Sequence, residues 1–179
     1  MMKIPVVNTA AVTLVLGGAA SGKSRFAQGL AERQPGSLLY VATAQAGDDE
    51  MAERITRHRQ ARGGRWCTLE APLDLTVVVP AAAGHGAVLV DCVTLWLTNL
   101  LLAGASPTAV WPAVEAFLAV LAGLPAPLIL VSNEVGQGIV PEHSLGRAFR
   151  DLAGGVNQRL AARADRVWLV TAGIPLPLK

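Results

Sequence analysis

The chain has few cysteines, few charged residues and no long apolar run, and each shortage excludes a class of protein. Cys67 and Cys92, the only two cysteines in 179 residues, offer neither zinc-site spacing nor a disulfide framework, so we expect a cytoplasmic protein. Charged residues make up 16%, and the formal net charge of +2 is too small to indicate a nucleic-acid partner. We expect no membrane span, because Thr98 and Asn99 interrupt the apolar run at 95–102.

Apolar residues are abundant, and they form short runs that alternate with helical patterns. Hydrophobic residues make up 52% of the chain, which predicts a well-buried interior. Continuous apolar runs between helices are typical of an α/β protein whose mostly parallel sheet has helices on both faces. The pattern predicts strands at 12–16, 38–42, 87–91, 128–131 and 167–171, and helices at 24–33, 49–60, 95–102, 109–121 and 145–163. With no internal repeat or linker, we expect a single domain over residues 1–179.

A glycine-rich loop separates the first predicted strand from the first predicted helix. It fits the pattern G-x-x-x-x-G-K-S in the strand–loop–helix context that the pattern requires, with the residues Gly17-Gly18-Ala19-Ala20-Ser21-Gly22-Lys23-Ser24. In such a loop, backbone N–H groups and a helix N-terminus surround phosphate oxygens. The alternative is an ordinary strand-to-helix turn. The context favours a nucleoside triphosphate site, with Lys23 reaching the terminal phosphates and the Ser24 hydroxyl available to Mg²⁺.

Polar residues also follow two later strands. Asp91 ends the run at 87–91, and ligands bind at the carboxyl ends of strands in open α/β sheets. An acid at this place in phosphate-loop proteins commonly holds Mg²⁺ or its water shell, whereas the other interpretation of Asp91 is a helix cap. Asn133 and Glu134 follow the strand at 128–131 and open a glycine-containing stretch that ends at Pro141. That stretch is equally compatible with a substrate loop and a structural turn.

One histidine lies in a segment rich in arginine, between residues 54 and 65. Met51, Ile55 and His58 would share one face of the predicted helix at 49–60, which favours a histidine packed on an apolar stripe with solvated arginines around it. The other interpretation is a histidine nucleophile in an electropositive setting that attracts phosphate oxygens. Spacing alone favours the first interpretation.

Several motifs taken together resemble one enzyme family. They are the glycine-rich loop with Arg25, the stretches 40–44 and 48–51, Arg54-Ile55 with His58-Arg59, and the stretches 133–136, 138–141, 149–151, 155–158 and 164–165. The combination covers nearly the whole chain after about residue 12. It is similar to the bifunctional adenosylcobinamide kinase / adenosylcobinamide-phosphate guanylyltransferases of cobalamin biosynthesis. The most specific part is the block Asn-Glu-Val-Gly-x-Gly-Ile-Val-Pro, joined to the histidine helix.

The resemblance implies a P-loop NTPase fold of the RecA-like type, a homotrimer, and two reactions with ATP and GTP as substrates. The first phosphorylates the aminopropanol hydroxyl of adenosylcobinamide, and the second transfers GMP through a guanylyl-histidine, whose place His58 occupies. It also implies Lys23 and His58 as catalytic residues and Mg²⁺ on Ser24 and Asp91. The implied nucleotide contacts are Gly17, Gly18, Ala19, Ala20, Ser21, Gly22, Lys23, Ser24, Ala42, Thr43, Ala44, Arg59, Gln60, Ala61, Arg62, Glu70 and Asp91.

Two positions depart from the family pattern. Ala20 stands where members often carry Arg, and Asp91 is one carbon shorter than the Glu of some members, so both bear on the detail of nucleotide geometry.

Two other functions compete with the one that the resemblance implies. One is an ATP-dependent small-molecule kinase without nucleotidyl transfer, and the other is a RecA-like NTP-binding assembly module acting on DNA. The lack of an interleaved aromatic and basic stripe counts against the second.

Overall fold

A computed structural model describes residues 11–44 and 62–179. Within them, the apolar runs form strands, and most of the segments that connect the strands contain a helix. The elements in chain order are β1 (Val12–Gly17), α1 (Lys23–Glu32), β2 (Leu38–Ala42), β3 (Trp66–Glu70), α2 (Val78–Ala81), β4 (Ala87–Asp91), α3 (Val93–Leu102), α4 (Trp111–Val120), a 3-10 turn (Leu121–Gly123), β5 (Leu128–Asn133), α5 (Ser144–Arg163), β6 (Arg166–Thr171) and β7 (Ile174–Pro177).

The strands form one seven-stranded sheet in the order β3-β2-β4-β5-β1-β6-β7. All neighbouring pairs are parallel except β6 and β7, which pair antiparallel across the two-residue turn at 172–173. The last residues of β1, β2, β4 and β5 therefore lie at one edge of the sheet, which we call the carboxyl edge. They are Gly17, Ala42, Asp91 and Asn133.

Alternate side chains of the central strands enter two apolar clusters, one on each face of the sheet. Leu14, Val88 and Leu130 pack with residues of α3, α4 and α5. Val15 and Ile129, by contrast, pack with residues of α1. Burial on both faces explains why these strands are continuously apolar rather than alternating. The predicted mostly parallel sheet with helices on both faces is confirmed.

The apolar-run pattern finds the central strands and misses β3, β7 and the short α2. β3 is an edge strand that is exposed along much of its length, so it carries polar residues such as Glu70. β7 contains Pro175 and Pro177, which an edge strand tolerates because it has no neighbour on its outer side.

Helix boundaries also differ from the prediction. The helix predicted at 95–102 begins two residues earlier, at Val93, and the one predicted at 109–121 spans Trp111–Val120. The helix predicted at 49–60 lies outside the described residues. Over the described ranges, no helix combines the length and the apolar character that crossing a bilayer requires.

Candidate active site

The glycine-rich loop leaves β1 and folds back over the first turn of α1. Lys23, the first residue of α1, is buried, and its Nζ donates a hydrogen bond to the carbonyl oxygen of Gly18 at 3.0 Å. Gly22, the N-cap residue, has a φ of 92°, a left-handed conformation that favours glycine. The ammonium group is therefore held inside the loop, within reach of any phosphate that the loop binds.

The turn between β6 and β7 braces this loop from the side. The N–H of Gly173 donates to the carbonyl oxygen of Ser21 at 2.8 Å. A Cβ atom at position 17 would lie 2.5 Å from the carbonyl oxygen of Val170 and 2.5 Å from Ser21 Oγ, so no larger residue fits there without movement. The first glycine of the motif is therefore required by packing against β6 as well as by phosphate access.

Asp91 lies at the carboxyl edge, where its strand has β2 on one side and β5 on the other, and β3 lies beyond β2. Its register partner is Ala42, whose partner on the other side is Glu70. Adjacent strands are about 4.8 Å apart. Glu70, Ala42 and Asp91, all predicted nucleotide contacts, therefore lie in one row with Ala42 in the middle. α3 begins at Val93 with Cys92 as its N-cap. Asp91 is therefore not itself the N-cap residue of α3.

The chain leaving β4 is locked to the end of β2 by buried polar side chains. The Thr43 hydroxyl accepts from the N–H of Cys92 and donates to the carbonyl oxygen of the same residue, both at 2.8 Å. Asn99 Nδ2 donates to the carbonyl oxygen of Thr43 at 2.7 Å. Because Thr43 is fully buried, its side chain positions the exit from β4 behind Asp91, while Ala42 and Ala44 beside it are half-buried.

Side chains of two helices bond to the N–H and to the carbonyl oxygen of Asn133, the last residue of β5. We call these contacts the clamp on β5. The N–H of Asn133 donates to Thr94 Oγ1 at 3.0 Å, and Asn157 Nδ2 donates to the carbonyl oxygen of Asn133 at 3.1 Å. Asn157 also accepts from the Ser132 hydroxyl at 2.7 Å. The next residue, Glu134, donates its N–H to the carbonyl oxygen of Gly17 at 3.0 Å. The clamp therefore places the Asn133-Glu134 pair directly beside the glycine-rich loop.

Arg62 is the first described residue after the histidine segment, and its side chain lies over the middle of β2. Its guanidinium carbon is 3.6 Å from the ring centroid of Tyr40, a cation–π contact. Burial raises the pKa of Tyr40, the negative charge of Asp91 raises it further, and Arg62 opposes both. The buried phenol therefore stays neutral; it contacts a predicted nucleotide-binding arginine and lies within the electrostatic influence of the predicted metal-binding acid.

Arg65, by contrast, has a structural role. Its guanidinium group donates to three backbone carbonyl oxygens around the end of α1, those of Glu32, Gln34 and Gly36. The cations of the arginine-rich segment are thus not equivalent, since one of the two that the structure describes holds the connection from α1 to β2. The predicted site residues His58, Arg59, Gln60 and Ala61 lie outside the described residues.

Sequence reasoning missed the residues that hold the carboxyl edge in shape, namely Thr94, Asn99, Ser132 and Asn157. Each is buried and hydrogen-bonded, and none belongs to the glycine-rich motif. A signal was present, because Thr94 and Asn99 are two of only three polar residues in a mostly apolar helix. Buried polar groups of this kind need partners.

A phosphate-binding loop after a central strand and an acid at the end of a neighbouring strand define the P-loop NTPase class, here with a RecA-like sheet. Two solved structures share the fold. The chain is similar to the flagellar accessory protein FlaH from Methanocaldococcus jannaschii, with a TM-score of 0.53 and 16% identity over 97% of this chain and 80% of that one. A KaiC-like protein from Pyrococcus horikoshii OT3 gives a TM-score of 0.53 and 12% identity over 90% and 71%.

Sequence comparison then identifies the family. Residues 13–178 match the family described as cobinamide kinase / cobinamide phosphate guanyltransferase, and the chain belongs to it. The bifunctional adenosylcobalamin biosynthesis protein CobP of Pseudomonas aeruginosa is 50% identical over 93% of this chain and 96% of its own. The corresponding proteins named CobU from Salmonella typhimurium and Escherichia coli are 45% and 44% identical, each over 93% of this chain and 98% of its own.

Proposed function

We propose that this chain phosphorylates the aminopropanol hydroxyl of adenosylcobinamide and then transfers GMP from GTP onto the new phosphate. The observation that carries the proposal is the carboxyl edge itself. There a buried Lys23 inside the glycine-rich loop lies on the same edge as Asp91 and the Asn133-Glu134 pair, in a chain that matches the family over residues 13–178.

In the kinase step, the acceptor hydroxyl oxygen attacks the γ-phosphorus, an O–P bond forms, and the hydroxyl proton passes to solvent. The bond from that phosphorus to the bridging oxygen breaks, and the nucleoside diphosphate leaves. Such a transfer is catalysed almost entirely by positioning and by neutralising charge on the phosphate oxygens. Lys23 suits this role because its ammonium group is already held within the loop by the Gly18 carbonyl oxygen.

Ser24 and Asp91 fit a magnesium ion by their chemistry. Both offer hard oxygen ligands, and Mg²⁺ usually takes only one or two protein ligands together with phosphate oxygens and water. Within residues 11–44 and 62–179 no group of three or more His, Cys, Asp or Glu side chains forms a metal site, so a shared site with the nucleotide is the arrangement that the residues support. When bound, the ion neutralises charge on the phosphates.

In the transferase step, we assign the nucleophile to His58. The assignment rests on the family match over residues 13–178, in which His58 occupies the place of the guanylylated histidine. Arg62, four residues later in the chain, contacts the Tyr40 ring on β2. An imidazole nitrogen attacks the α-phosphorus of GTP, a P–N bond forms, and pyrophosphate leaves. A phosphate oxygen of the phosphorylated acceptor then attacks the same phosphorus, and the P–N bond breaks.

The same proposal covers the remaining expectations from the family. The nucleotide contacts would come from the loop 17–24, from Ala42, Thr43 and Ala44, from residues 59–62, and from Glu70 and Asp91. We also propose that the chain forms a homotrimer and is located in the cytoplasm. The side chain of Thr43 is buried and hydrogen-bonded to the backbone of Cys92. Thr43 would therefore contact the nucleotide through its own backbone, or affect the site by holding Cys92 in position.

Two isotopic labels test the proposal in one set of incubations with cobinamide. We expect the γ-label of the triphosphate on cobinamide and, when the acceptor is omitted, the α-label of GTP on the protein. That protein-bound label should be lost in acid and kept in base, as for a phosphoramidate. If cobinamide takes up the γ-label but the protein retains no α-label, only the kinase activity is supported. If no label reaches cobinamide, both activities are rejected. DNA-stimulated hydrolysis that weakens with salt would instead support the assembly module.

A further inference from the structure

An exposed apolar ledge follows the end of β5. It consists of Ile139, Val140 and Leu145, whose side chains are 98%, 55% and 62% exposed. Ile139 and Val140 lie on the loop between β5 and α5, and Leu145 lies in the first turn of α5. Single exposed apolar residues are ordinary, but three grouped on one connection indicate a surface that binds something.

The loop that carries the ledge is fixed in place. Arg147 Nη1 donates to the carbonyl oxygen of Pro141 at 3.0 Å and to that of Glu142 at 2.6 Å. Pro141 also packs closely on α5, since a Cβ atom at Gly146 would lie 2.9 Å from the Pro141 Cβ. The chain between the exposed Val140 and Leu145 is therefore held against the first turns of α5.

The ledge lies on the same connection as residues that contact the glycine-rich loop, which binds the nucleotide in the proposed function. The same connection begins at Asn133-Glu134, and Glu134 is hydrogen-bonded to Gly17 of the glycine-rich loop. The acceptor hydroxyl must reach a phosphate held by that loop. The bulk of a large acceptor must therefore lie on the surface around the loop, and the apolar ledge is the part of that surface reached directly through Glu134.

We propose that the ledge binds the corrin macrocycle of the cobinamide substrate. This assignment rests on the proposed function, which makes the acceptor a wide ring with apolar methyl-bearing faces and a flexible aminopropanol arm. Aliphatic side chains suit the ring faces, while the arm extends towards the glycine-rich loop. Gly138, exposed on the same connection, leaves room for the peripheral amide groups, since a Cβ atom there would meet nothing within 4 Å.

Leu102 provides a matched control. It is 81% exposed, but it ends α3, which starts at the carboxyl edge and runs towards the opposite edge of the sheet. Exchanging it for serine removes an exposed leucine far from the proposed substrate. Neither Leu102 nor the ledge residues contribute to the buried core, so all the variants should fold.

The experiment compares the wild type, the double variant Ile139→Ser/Val140→Ser and Leu102→Ser. Equilibrium dialysis with dicyanocobinamide measures ring binding, steady-state kinetics give KM for cobinamide and for GTP, and light scattering gives the oligomeric state. We expect the double variant to bind cobinamide about tenfold or more weakly, with KM for GTP and the oligomeric state unchanged, and Leu102→Ser to match the wild type.

Two results would overturn the assignment while leaving the proposed function intact. One is wild-type binding of cobinamide that the double variant retains in full. The other is a smaller oligomer in the double variant, which would show that a second copy of the chain covers the ledge. If the wild type itself neither binds nor phosphorylates cobinamide, the proposed function fails, and the ledge assignment fails with it.

Discussion

The two halves of the carboxyl edge are held in shape by different means. Around the glycine-rich loop, the backbone sets the geometry, through the close packing of Gly17 on β6 and the left-handed φ of Gly22. Around the ends of β4 and β5, buried side chains set it, through the hydrogen bonds of Thr43, Thr94 and Asn157. The first half is encoded by one contiguous motif, whereas the second is encoded by residues scattered from position 43 to position 157.

The two halves of the carboxyl edge therefore have different roles. In the proposed function, the loop half supplies backbone N–H groups and a cation for phosphate, and the other half holds Asp91, Asn133 and Glu134 in position beside it. A substitution in the loop half should therefore affect chemistry or packing directly. One in the other half should act through the position of the groups that it supports.

The largest effect is expected from Lys23→Ala in the loop half. Both activities should fall by about 10²- to 10³-fold or more, because the cation on the terminal phosphates is lost while the core is left intact. Initial rates with cobinamide, together with a thermal melt, measure the two quantities. Arg25→Ala, an exposed neighbour on α1, is the control. Near-native turnover by Lys23→Ala would contradict the assignment of the loop.

Asp91→Asn tests the half of the carboxyl edge around β4 and β5, at the predicted metal-binding residue. The amide keeps the shape of the side chain but removes its charge, so the Mg²⁺ concentration that gives half-maximal activity should rise by about 10- to 100-fold. Thermal stability should change little. Titrations of Mg²⁺ that coincide for the variant and the wild type would mean that Asp91 has no part in holding the metal.

Gly17→Ala separates backbone packing from chemistry. The added methyl group would meet the carbonyl oxygen of Val170 and Ser21 Oγ, so we expect a loss of about 3 kcal/mol in the free energy of unfolding. Gly18→Ala is the matched control, since a Cβ atom there meets nothing within 4 Å. Denaturant unfolding measures both, and equal stabilities would show that β6 does not constrain the loop.

A smaller effect is expected from Thr94→Val, which preserves the shape of a buried side chain and leaves the N–H of Asn133 without its acceptor. The free energy of unfolding should fall by about 1 kcal/mol. Thr98→Val, on the same helix and half-buried, removes a hydroxyl that bonds only to the carbonyl oxygen of Thr94 and should cost less. If the two variants unfold alike, the clamp on β5 is not a distinct contribution.

The same contrast explains what the sequence could and could not predict. The central strands and the loop were predictable because burial on both faces leaves apolar runs and because the phosphate motif is contiguous. β3 and β7 were not, since edge strands carry polar residues or prolines. The hydrogen bonds that Thr94 and Asn157 make to the backbone of Asn133 were not predictable either, because these residues meet only in the folded chain. Single-domain organisation and the roles of the site residues stay predictions.

The covalent step on His58 is the central claim, and intact-mass spectrometry tests it most directly. After incubation with GTP and Mg²⁺, the wild type should carry one GMP adduct, and so should His85→Ala and His143→Ala, the variants of the other two histidines of the chain. His58→Ala should carry none, yet it should still phosphorylate cobinamide, because phosphoryl transfer needs Lys23 and the metal rather than this nucleophile. An adduct that persists in His58→Ala, or none on the wild type during turnover, would contradict the account.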